Sequence, residues 1–105
     1  MEKYNVLIFP AGSEIAIEIY NSLKYNLHFN VYGASGKSDH AEFVYPPEKY
    51  IQGNLYITED DFITNFNDII KKYGIDFIFP THDSVALYLS ERRREIRAKL
   101  ICSDY

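Results

Sequence analysis

The strongest constraint on how this chain folds is an apolar run that does not alternate. Val6 to Phe9 reads VLIF, Pro10 and Gly12 then open a turn, and helical periodicity starts behind Ser13. A strand with one wet face alternates apolar and polar residues, so an unbroken run belongs to a strand covered on both faces, as in a parallel sheet. Pro10 closes that strand because proline has no N–H for the ladder. Ser13 is the expected N-cap of the following helix, which should run to about Asn26 with Ile15, Ile19 and Leu23 on its buried face.

The same design returns 70 positions later, where Ile8-Phe9-Pro10 becomes Ile78-Phe79-Pro80 and Ile15-Ala16 becomes Val85-Ala86. Asp83 takes the place of Ser13, so a side chain able to accept hydrogen bonds from a helix's first N–H groups is expected at both starts. Two such units begin the halves of a doubly wound sheet, with their strands side by side and their loops open on the crevice where strand order reverses. Ala11 to Ser13 and Thr81 to Asp83 should therefore face each other.

Between the two units, His28 to Gly33 reads as a second strand and Ala34 to Asp39 as a loop. A short third strand is expected at Phe43-Val44-Tyr45, with Leu55 to Ile57 as the competing candidate. Thr58 and Asp61 resemble a capping box ahead of a helix whose buried face is Phe62, Phe66, Ile69, Ile70 and Tyr73. Gly74 supplies the left-handed cap. Ile75 to Phe79 is the fourth strand, Asp83 to about Ile96 the next helix, and Lys99 to Cys102 the fifth strand. Strands alternating with helices imply an α/β fold: a doubly wound, mainly parallel, Rossmann-like sheet of five strands in the order 3-2-1-4-5, with helices on both faces.

At 105 residues the chain has the material for a single domain spanning 1–105. Its net charge of -4 argues against non-specific binding to nucleic acid or to an anionic membrane. No leader-like segment and no apolar run of membrane-spanning length is legible, so a cytoplasmic location is expected. One cysteine, Cys102, excludes an internal disulfide and reads as a small buried hydrophobe. Because Tyr105 follows the fifth strand directly, no helix remains to cover that edge, and the sequence reads as a piece of a longer protein or one covered by another chain.

Several stretches carry polar chemistry. The loop Ala11-Gly12-Ser13-Glu14 lacks the three glycines of a dinucleotide fingerprint, and Glu14 would repel a pyrophosphate. Ser35-Gly36-Lys37-Ser38 ends like a P-loop, but Val31 stands where the first glycine is required; a solvated loop is favoured over a ribose 2'-phosphate site. Thr81-His82-Asp83 combines a hydroxyl, an imidazole and a carboxylate at a strand's carboxyl end beside a helix start. Two readings stand side by side there: contact with a ligand, or Asp83 acting only as a cap with His82 in solvent. His28, His40 and His82 show no metal-ligand spacing, and no residue is singled out as catalytic. Glu91 to Arg97 reads as a solvated helix end whose cations complement the dipole.

Taken together, NVLIFPAGSEIAIEIYNSL, GASGKSDHAEFVYPP and GIDFIFPTHDSVALYLSE resemble the N-terminal domain that precedes the ATP-grasp fold, as in proteins similar to the carbamoyl-phosphate synthase large subunit. LICSDY falls where that module hands over to the ATP-binding body. The resemblance implies that ATP and magnesium belong to the body, which forms an acyl-phosphate for attack by an amine or other nucleophile. This module then shapes the side of the site that holds a small carboxylate or amine substrate, with Gly12, Ser13, Thr81, His82 and Asp83 facing it. No residue of the chain itself resembles the body, so no ligase activity is expected of it alone. The rival readings are a fragment of an NAD(P)-binding oxidoreductase and a split-gene subunit that completes a separate ATP-grasp chain.

Overall fold

The computed structural model describes residues 3–36, 44–53 and 55–101. Five strands form one sheet: β1 (Tyr4–Phe9), β2 (Phe29–Ser35), β3 (Tyr50–Gln52), β4 (Phe77–Pro80) and β5 (Lys99–Leu100). Their order is β3-β2-β1-β4-β5, and every neighbouring pair is parallel. The doubly wound arrangement expected from the repeated unit is present.

The covering helices divide unequally between the two faces. Helix α1 (Glu14–Leu23) lies on one, where Ile8, Val31 and Phe79 meet its Ala16 and Tyr20. Helices α2 (Phe62–Tyr73) and α3 (Asp83–Glu91) lie on the other, where Leu7, Phe9 and Ile78 meet Phe62, Phe66, Ile70, Val85 and Leu89. Successive residues of β1 thus enter opposite cores, which is why the strand is apolar throughout. Phe9 packs against the stacked pair Phe62 and Phe66, with ring centroids 5.8 and 5.3 Å away.

Several boundaries differ from expectation, each for a local reason. The third strand is Tyr50–Gln52, not Phe43–Tyr45 or Leu55–Ile57. Phe43 lies outside the described residues, and Val44 and Tyr45 are not in the sheet. Tyr45 instead packs at a tilt on Tyr20, with ring centroids 4.2 Å apart, and lies against Gly33 so closely that a Cβ there would stand 2.5 Å from its ring. A 3-10 turn at Pro47–Lys49 then feeds the chain into β3. Leu55 is buried in the core of the α2 and α3 face, but its backbone pairs with no strand.

Helix α1 ends at Leu23 with Lys24 as its C-cap, short of Asn26. The stripe at 16, 19, 20 and 23 faces the sheet, which leaves Ile15 57% exposed at the helix start rather than on the buried face. The expected capping box fails, because α2 starts behind Asp61 with no side-chain cap bond. Gly74 does adopt the left-handed cap, at φ 63° and ψ 42°. Helix α3 stops at Glu91, before Ile96. The Arg92 guanidinium folds back over the Tyr88 ring at 3.7 Å, and the chain tightens into a 3-10 turn at Arg93–Glu95. Asn67 of α2 holds the exit, donating to the Glu95 carbonyl at 2.7 Å and accepting from the Arg97 N–H at 3.1 Å.

Among the described residues, no helix is long and apolar enough to cross a membrane. Cys102 and the expected end of the fifth strand beyond Ile101 lie outside the described residues, as do Lys37, Ser38 and His40.

Candidate functional site

The centre of the sheet's carboxyl edge is built by β1 and β4. Their parallel register sets Phe9 opposite Pro80, so the segments that follow leave the sheet side by side. Three hydrogen bonds fasten the exit of β1 to both neighbours. The Ala11 N–H donates to the Ala34 carbonyl at 2.9 Å, and the Thr81 N–H donates to the Phe9 carbonyl at 3.0 Å. The third runs from the Thr81 hydroxyl to the Pro10 carbonyl at 2.6 Å. The Phe9–Pro10 peptide is cis.

A cleft of about 430 Å³ opens above this seam. Pro10, Gly12 and Ser13 form one wall, His82 and Val85 the facing wall, and Ser35, Gly36 and residues 55–58 the side next to β2. Apolar groups make most of the lining, with Phe9, Leu55, Ile57 and Val85 beside the polar groups of Ser13, Ser35, Thr58 and His82. A concave, largely apolar lining with a few convergent polar groups is the usual character of a small-molecule site.

The sequence-derived candidates divide within this arrangement. Gly12, Ser13 and His82 are brought together on the cleft. Ser13 also caps α1 as expected, its hydroxyl accepting from the Ala16 N–H at 3.1 Å, which leaves its own proton to donate elsewhere. Thr81, only 7% exposed, lies beneath the surface and ties the two loops together instead of lining the cleft. Asp83 is the correction, since the N-cap of α3 is His82, whose extended backbone makes no side-chain cap bond, and Asp83 is the first helical residue. Its exposed carboxylate acts on α3 through the helix dipole.

The β2 side of the cleft was not legible in the sequence. Leu55, Tyr56 and Ile57 read as a strand candidate, and nothing in their order announces that they fold over the end of β2. Ser35 was read in the loop after β2, yet it is the last residue of that strand and buried. Among the described residues, no three His, Cys, Asp or Glu side chains come together to hold a metal ion.

No protein-family model and no curated protein matches the chain.

Proposed function

We propose that this chain is the substrate-side module of an ATP-grasp type ligase and holds a small carboxylate or amine substrate in the cleft between Ser13 and His82. One observation carries the reading: two strand–loop–helix units of the same design meet across the β1–β4 seam, and their loops form facing walls of one concave site. The apolar floor takes the body of a small molecule. Ser13, His82 and the first N–H groups of α1 and α3 offer donors for its polar end. In this reading ATP and magnesium are handled by an ATP-grasp body, in the same chain or a separate subunit, and no residue of the cleft is assigned to them.

The test is a titration of isotopically labelled protein, following backbone amide shifts as the twenty L-amino acids, simple dicarboxylates, ATP with magnesium, and NADP are added in turn. A carboxylate or amine should move Gly12, Ser13, Gly36 and His82 together. ATP with magnesium should bind no tighter than roughly millimolar, about -4 kcal/mol. Micromolar binding of ATP would overturn the division of labour, and micromolar NADP would favour the oxidoreductase reading.

A further inference from the structure

On the β2 side the cleft is lined by Tyr56, a large side chain outside both cores. Leu55, 3% exposed, and Ile57 both pack toward the core shared with α2 and α3. Tyr56 between them lies over the end of β2, 44% exposed. Its hydroxyl donates to the Gly36 carbonyl at 2.9 Å. Its ring lies so close to the backbone that a Cβ on Gly36 would stand 3.1 Å from two ring atoms. Glycine at position 36 gives the ring and the Leu55 carbonyl room, and Gly36 and Tyr56 line the same cleft as Ser13 and His82.

We infer that Tyr56 is a latched side wall, which closes the β2 side of the cleft when bonded to Gly36 and swings away to admit larger ligands when that bond opens. The inference rests on the reading of the cleft as a ligand site. The bond from Tyr56 to Gly36 ties the segment 55–58 to the end of β2, so its opening loosens the segment while Leu55 keeps its place in the core. A single neutral hydrogen bond contributes little net stability, which suits a contact that must open and close.

Removing only the hydroxyl, with Tyr56→Phe, should speed hydrogen exchange of the amides at 55–58 by roughly two- to tenfold, as expected for the loss of one such bond. Amides of β1 should be unchanged. Gly36→Ala, which crowds both the ring and the Leu55 carbonyl, should give the same local pattern. Unchanged exchange at 55–58, or a uniform change across the chain, would overturn the latch. A second arm adds single L-amino acids as probes to Tyr56→Ala, which should favour tryptophan and phenylalanine over alanine relative to the unaltered protein; an identical order of preference would count against the wall. If the unaltered protein binds none of them, the substrate reading falls, and the exchange measurement alone still decides the latch.

Discussion

Thr81 offers the sharpest test of how the cleft is held together. Replacing it with valine keeps the branched shape and removes only the hydroxyl that donates to Pro10 at 2.6 Å. Such a bond contributes about 0.5–1.5 kcal/mol net, and the carbonyl left behind adds a desolvation cost of about 1–3 kcal/mol if water cannot reach it. Pro10 is half-buried, so water meets part of that need, and the expected loss is about 1–2 kcal/mol. With an unfolding entropy of about 2.1 cal/mol/K per residue over 105 residues, the melting temperature should fall by about 5–10 °C. Thr81→Ser is the control, because it keeps the hydroxyl and loses one methyl group, worth about 0.8 kcal/mol. Calorimetric melting of the three proteins gives the answer. If Thr81→Ser were as damaging as Thr81→Val, packing of the methyl group would hold the loops together and the cross-loop bond would be incidental.

Ser13→Ala should cost about 0.5–2 kcal/mol through its lost cap, whereas Asp83→Ala should cost no more than about 1 kcal/mol and less at high salt; urea titrations at two salt concentrations separate the two. His82→Ala should stay within about 0.5 kcal/mol of the unaltered protein because the residue is exposed and its side chain makes no cap bond, so a larger loss in the same titrations would refute its placement on the cleft surface. Gly33→Ala would set a methyl group 2.5 Å from the Tyr45 ring, and overpacking of this kind costs about 1–3 kcal/mol, visible as a lower urea midpoint. Burial, with a smaller contribution from Tyr25, pushes the Tyr20 phenol above its ordinary value. The unfolded chain then releases that proton first, so this contribution to stability is complete below about pH 10 and is lost as pH rises through the folded value. Tyr20→Phe should lose less stability between neutral and strongly alkaline pH than the unaltered protein.

The sheet was legible because both of its decisive signals are local. Val6 to Phe9 cannot be a half-wet strand, and Ile78-Phe79-Pro80 repeats its ending, so order and neighbours followed from general rules of winding. The third strand was missed because an apolar triplet has the same appearance whether it pairs with a neighbour or packs as a side-chain plug. Tyr45 plugs the space above Gly33, which sequence spacing does not encode. The cap of α3 falls one residue before Asp83 because α3 starts behind the extended backbone of His82 with no side-chain cap bond, so no capping side chain marks the start. Two walls of the cleft follow the repeat and were legible. The third, Leu55 to Thr58, depends on how a connection folds back over the sheet.

The two faces of the sheet draw on different lengths of the chain, and that bears on how the protein emerges from a ribosome. Among the described residues, the core under α1 is made from residues between Ile8 and Tyr50 together with the distant Phe79, whereas the core under α2 and α3 needs residues from Leu7 to Leu100. At roughly 5–20 residues per second, a few seconds separate the appearance of these two sets of partners. During that interval Leu7 and Phe9 lack their partners Phe62, Phe66 and Ile78. A chain cut short before Phe62 would therefore leave Leu7 and Phe9 uncovered, the kind of apolar surface that holdase chaperones bind.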